Sequence, residues 1–84
     1  MNLVEMSIVS ALLSEDQMYG RAIREFIEEN FWSPCEQGTI YAALIRMEEK
    51  DMVRYKLVPT SNPRGGQKRK VYQINPSAKE SIYR

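Results

Sequence analysis

Apolar residues recur along the first half of the chain at intervals of three and four, the spacing that aligns one face of an α-helix. Val4, Ile8, Val9, Leu12 and Leu13 keep this rhythm and predict a first helix from Leu3 to Leu13. The polar run Ser14-Glu15-Asp16-Gln17 interrupts it, and a second stripe passes through Tyr19, Ile23, Phe26 and Ile27. Phe31-Trp32-Ser33-Pro34 closes that segment, because proline disfavours helical backbone in the residue before it. A third stripe, Ile40, Ala43, Leu44 and Met47, predicts a helix from near Glu36 to near Lys50, an acid and a base at the ends where the helix dipole favours them.

After Asp51 the period changes to two. Val53, Tyr55 and Leu57 fall on one side of an extended strand, Arg54 and Lys56 on the other. The turn formers Thr60-Ser61-Asn62-Pro63-Arg64-Gly65-Gly66 follow, and a second alternation sets Tyr72 and Ile74 opposite Val71 and Gln73. Together these predict a β-hairpin with a long basic tip. Asn75-Pro76 then has the form of a helix start, asparagine at the N-cap and proline in the first turn, so that 76–84 is the stub of a fourth helix. There is no repeat, low-complexity tract or linker, and residues 1–84 read as one domain. The expected fold class is mainly α with a small β-hairpin, in the element order of a winged helix-turn-helix.

Composition changes this picture in three places. With 84 residues, 43% hydrophobic and 27% charged, the chain is an ordinary globular domain whose core must be economical, and self-association is the natural support. The single cysteine, Cys35, has no disulfide partner within the chain, and the lack of histidine removes any Cys/His zinc set, so neither metal nor cofactor is expected. No apolar run approaches the roughly 20 residues needed to span a bilayer, and Glu5 is the first charged side chain, so no basic signal region opens the chain. No membrane association and a cytoplasmic location are expected. Net charge is only +1, but residues 1–50 hold nine acids and four bases whereas 51–84 hold two acids and eight bases. One end therefore suits a polyanion; a basic solvated tail is the plain alternative.

Several strings combine into a resemblance. Met18-Tyr19-Gly20, Phe31-Trp32, Gly38-Thr39-Ile40-Tyr41 and Leu44-Ile45-Arg46-Met47-Glu48-Glu49-Lys50 resemble the PadR family of bacterial transcriptional regulators. The string Arg64-Gly65-Gly66-Gln67-Lys68-Arg69-Lys70-Val71-Tyr72 is similar to that family's wing, and Asn75-Pro76 to its entry into the last helix. The resemblance covers nearly the whole chain. It implies a winged helix, DNA as partner, a phosphate contact for Tyr19 at the start of the second helix, and pairing of subunits through a long C-terminal helix, of which this chain has only 76–84. Two positions depart from the family pattern: Ala42 stands where proline is usual, and Asp51 where glycine is usual. Aspartate enters the left-handed conformation more readily than most residues, so the helix end is expected to persist.

A helix offered to a major groove needs one apolar face for its own domain and short or bond-forming side chains opposite. If Ile40, Leu44 and Met47 point inward, an advance of about 100° per residue places Gly38, Ala42, Ile45 and Glu49 outward, with Thr39 and Arg46 on one flank and Tyr41 on the other. Gly38 and Ala42 allow close approach; Thr39, Tyr41 and Arg46 suit phosphates or base edges, and Ile45 a thymine methyl. Gln37, near the helix start, is a further contact candidate. Glu49 repels phosphate and is excluded. In the wing, Arg64, Lys68, Arg69 and Lys70 supply charge, while Gly65 and Gly66 let the tip lie along the minor groove or the flanking phosphate ridge. Plainer readings stand beside these: Tyr19 and Tyr41 as core, Arg46 as a solvated face, the wing as a solubilising tip. Phe31 and Trp32 read as anchors between the second and third helices, and Cys35 as an inert thiol. No partnered nucleophile or phosphate loop is present, and no enzymatic activity is expected.

The sequence thus leads to a sequence-specific double-stranded DNA-binding regulator. It is expected to be a repressor acting as a homodimer on a roughly palindromic operator, with no small-molecule effector identified. Two alternatives remain: a protein-interaction winged helix, and a small-ligand sensor with a pocket between subunits lined by Trp32 or Phe31.

Overall fold

Helices α1 (Leu3–Ser14), α2 (Gly20–Asn30) and α3 (Gln37–Glu49) occupy the three apolar stripes in a computed structural model that describes residues 1–59 and 68–78. Asn2 caps α1 through a reciprocal box: its side chain accepts from the Glu5 N–H at 2.8 Å, and its own N–H donates to Glu5 Oε1 at 3.4 Å. α1 ends where Glu15 turns extended. Tyr19 is the extended N-cap of α2 and not part of its stripe.

The three helices close on one another through Ile8, Ile23, Ile27, Ile40, Leu44 and Met47, all fully buried. Each such side chain contributes about 1.5–3 kcal/mol relative to an exposed one. α1 is buried through a wide arc that includes Glu5 and Ser7. Ser7 Oγ donates to the Leu3 carbonyl at 2.9 Å, and Glu5 pairs with Lys50 at 3.5 Å, which ties the start of α1 to the end of α3. Burial pushes the Glu5 carboxyl up, but the Asn2 N–H and the Lys50 ammonium outweigh it and hold the group below the usual carboxylate range.

The end of α3 satisfies its carbonyls within the chain. The Met52 N–H donates to the Met47 carbonyl at 2.9 Å and the Asp51 N–H to that of Glu48 at 3.0 Å, a Schellman pattern with Asp51 left-handed at φ 58°. Aspartate therefore holds a left-handed helix end that most often falls to glycine, and the helix end persists as expected.

Strands β2 (Val53–Pro59) and β3 (Lys68–Ile74) form the antiparallel hairpin, in register from Val53 opposite Ile74 to Pro59 opposite Lys68. A third strand, β1 (Met18–Tyr19), pairs antiparallel with the other edge of β3, giving the order β1-β3-β2. Two residues are too few to show alternation, so this strand had no sequence signal. It explains why Val71 is buried on the side opposite Tyr72: Tyr19 lies directly across from it. Along β2 only Val53 reaches the core, whereas Tyr55 and Leu57 are exposed as the hairpin leaves the body. Asn75 Oδ1 accepts from the Ser77 N–H at 3.2 Å, and 76–78 are helical, as expected of a capped helix start.

Phe31 corrects the sequence expectation. It is 49% exposed and packs in a tilted row with Phe26 and Trp32, centroids 6.2 and 6.4 Å away, while Trp32 alone of the Phe31-Trp32 pair packs against the core. The Phe31 N–H donates to the Ile27 carbonyl at the end of α2, which fixes its backbone and leaves the ring outside.

Candidate nucleic-acid interface

The inward stripe of α3 decides what its other side presents. With Ile40, Ala43, Leu44 and Met47 buried, Gly38, Thr39, Tyr41, Ala42, Ile45, Arg46 and Glu49 are all exposed. Tyr41 and Arg46 thus lie outside the core. Ile45, an apolar side chain at the centre of this face, is 54% exposed among the described residues. An added Cβ on Gly38 would meet nothing within 4 Å, so nothing within the described domain requires glycine there.

Beside α3 lies an open concavity of about 760 Å³. The start of α2 contributes Tyr19, Gly20, Arg21 and Arg24, α3 contributes Gln37, Tyr41 and Ile45, and β3 contributes Lys68, Arg69, Lys70 and Tyr72. The sheet thereby brings three consecutive wing cations beside the outward side of α3. Two of these side chains are directed by aromatic rings: the Arg69 guanidinium sits 5.6 Å from the centroid of Tyr19 and the Lys70 ammonium 4.3 Å from that of Tyr55. Tyr55 itself packs on Tyr72 at 5.9 Å. Burial, followed by the negative charge of Glu48, pushes the Tyr72 phenol up to about 12, so it stays a neutral hydroxyl at the floor of the concavity.

Two contacts lock α2 to α3. The Tyr41 ring lies across Gly20, where a Cβ would come within 2.5 Å of Cε1. Gln37 is half-buried and both ends of its amide are engaged: Nε2 donates to the Gly20 carbonyl at 3.1 Å and Oε1 accepts from Arg24 Nε at 3.2 Å. Gln37, a contact candidate by its place near the helix start, thus lines the concavity with its amide engaged inside the fold.

Arg21 is exposed at the first turn of α2 and lines the concavity; the sequence reading passed over it. Its position beside Gly20 in the Tyr-Gly string was the signal that could have found it. Arg64, Gly65 and Gly66 lie outside the described residues. Cys35 is buried, and its thiol is pushed up by burial and by the nearby Glu28 carboxylate. Such a thiol is a poor nucleophile. Among the described residues no group of acids, cysteine and histidine is placed to hold a metal ion, and no helix is long and apolar enough to cross a membrane.

Three packed helices, a short strand feeding the second, and a hairpin whose cations flank the third define a winged helix-turn-helix domain with a cationic concave face. The model of the transcriptional regulator PadR-like family matches residues 9–84, and the chain belongs to that family. No curated protein matches the sequence. Among solved structures, a PadR family transcription regulator from hypervirulent Clostridium difficile R20291 is 27% identical with a TM-score of 0.79, covering 98% of this chain and 81% of that one. PadR of Bacillus subtilis, solved in complex with operator DNA, has a TM-score of 0.79 at 18% identity; the match covers 98% of this chain but only 45% of that longer one. Stf76 from the Sulfolobus islandicus plasmid-virus pSSVx is similar over 98% of this chain and 94% of its own, at 13% identity and a TM-score of 0.70. At such identities the last two likenesses speak for the fold.

Proposed function

We propose that this chain binds double-stranded DNA sequence-specifically as a repressor, with α3 in the major groove and the wing on the flanking backbone. The observation that carries this reading is the juxtaposition of the uncharged, exposed front of α3 with Lys68, Arg69 and Lys70 around one concavity. Thr39, Tyr41, Ala42, Ile45 and Arg46 face base edges and nearby phosphates, and Gly38 lets the helix backbone approach closely. Tyr19 and the wing cations hold phosphates, with Arg64, Gly65 and Gly66 continuing the wing. That the Bacillus subtilis protein was solved on operator DNA supports the same partner here.

The whole chain acts as one such domain, without catalysis or a cofactor, in the cytoplasm. It works as a homodimer, because a winged helix on a palindromic site places one subunit on each half. Leu3, Met6 and Leu13 remain exposed within one arc of α1 and suit a self-complementary contact, continued by the helix that begins at Pro76.

Selection of bound duplexes from a random pool, followed by fluorescence anisotropy across a salt series, tests this. Lys68, Arg69 and Lys70 changed together to Ala weaken binding to all sequences and lower the slope of log affinity against log salt by about 2.7. An unchanged slope refutes the wing assignment. Selected sites with no two-fold symmetry refute the dimer, and a reporter activated instead of silenced by the site refutes repression.

A further inference from the structure

Resting on the DNA-binding reading, one polar chain inside the domain bears on how α3 is aimed. It starts at the Gly20 carbonyl in the first turn of α2 and passes through the Gln37 amide to Arg24 Nε. Arg24 Nη1 pairs with Glu28 Oε1 at 3.0 Å, and that same oxygen accepts the Cys35 N–H at 3.0 Å, just before α3 begins. The Cys35 N–H, with help from Arg24, outweighs the opposing effect of burial and holds the Glu28 carboxyl below its ordinary range, so it is an anion and a full acceptor near neutrality. The path therefore links both ends of the α2 face to the entry of α3.

Beside the apolar core and the Tyr41 ring on Gly20, other polar restraints at this junction are few. Neither α2 nor α3 has a side-chain cap at its start. Among the described residues, Gln37 makes the only side-chain hydrogen bonds that join α2 directly to α3. α3 has 13 residues and so is about 20 Å long; a tilt of about 5° at one end moves the other by nearly 2 Å. Hydrogen bonds to base edges do not survive such a shift, since their useful range is about 2.7–3.2 Å.

We infer that Gln37 and Arg24 are positioning residues that set the angle of α3, and that neither contacts DNA. Arg24 lines the cationic concavity, yet its guanidinium is directed to Gln37 and Glu28, and its charge is already paired. Sequence discrimination by this chain depends on an internal amide and ion pair as well as on the side chains that touch bases.

The test uses the full chain with Gln37→Leu and Arg24→Gln, each checked by thermal melting. Duplexes selected by the unaltered protein and a random duplex of equal length serve as probes. For both variants the selected-to-random affinity ratio falls by about tenfold, as for loss of one discriminating contact, with preference weakened at every base pair of the half-site. The salt slope stays unchanged, because no phosphate contact is removed. Relaxed preference at one base pair only makes Gln37 a direct reader and overturns the inference, as does an undiminished ratio. A slope reduced by about 0.9 in Arg24→Gln assigns that arginine to a phosphate and overturns it equally. Should Gln37→Leu fail to fold, the slope and the preference profile of Arg24→Gln decide by the same criteria. If the unaltered protein selects no duplex at all, the DNA-binding reading itself fails, a result distinct from any of these.

Discussion

Replacing Gly20 by Ala adds a single methyl group at the seam between α2 and the exposed side of α3. That methyl would lie 2.5 Å from Tyr41 Cε1 and 3.1 Å from both Cζ and Oη. Carbon atoms pack comfortably at about 3.5–4.0 Å, so the ring must retreat by about 1 Å or more. Tyr41 is 44% exposed, and its ring has room to swing. The clash therefore costs at the low end of the usual overpacking penalty, about 1–2 kcal/mol. Against it stands the helix preference of alanine over glycine, at most about 0.5–1 kcal/mol and less in a first turn. Gly20→Ala should thus lower stability by up to about 1.5 kcal/mol, which corresponds to at most about 6–12 °C in melting temperature for a domain of this size. In a Tyr41→Ala background the clash is gone, and the same change should stabilise by about 0.5 kcal/mol. Thermal melts of the four proteins, followed by circular dichroism, give the coupling directly, expected near 1–2 kcal/mol. Additivity within about 0.3 kcal/mol would refute the packing of Tyr41 on Gly20. Anisotropy with a selected duplex adds a functional readout: Gly20→Ala should weaken specific binding more than its stability loss explains, because the displaced ring belongs to the proposed contact surface.

Other consequences follow from single positions. Asp51 is left-handed at the end of α3, so Asp51→Gly should stabilise by about 0.5–1 kcal/mol, and a melting temperature that falls would contradict the Schellman reading. Gly38 has open space at its Cβ, so Gly38→Leu should leave stability equal or raised by up to about 1 kcal/mol while reducing DNA affinity at least tenfold; unimpaired binding would remove this helix start from the interface. The carboxyls of Glu5 and Glu28 are held low by their partners when folded. Their contribution is therefore full above the unfolded value of about 4.3 and is lost as pH falls through the lower folded values. Urea unfolding from pH 6 to 3 should show that decline, and Glu5→Gln should flatten part of it; a Glu5→Gln profile parallel to that of the unaltered protein would count against the Glu5–Lys50 tie.

The three helices, the two hairpin strands and the outward face of α3 were all legible in the order of residues, whereas the register that pairs Val53 with Ile74 was not. Their signals are local: a period of three to four or of two assigns each side chain to one side of its own element, whatever that element later packs against. The Asp51 turn and the Asn75 cap were legible for the same reason, since each bond spans a few residues. What tertiary structure alone decided involves separations of many residues. β1 exists because β3 offers Met18 and Tyr19 an edge, and only that pairing buries Val71. Phe31 lies outside although its apolar ring suggested an anchor, and Tyr55 and Leu57 lie outside although they alternate with Val53, because the helices fill the core before those rings and the outer hairpin can reach it. Gln37 turned inward because Gly20 and Arg24, more than a dozen residues earlier, present an acceptor and a donor at its two ends. Periodicity fixes which way a side chain points from its own backbone; whether it meets protein or solvent depends on how separate elements dock, and that is settled by three-dimensional packing.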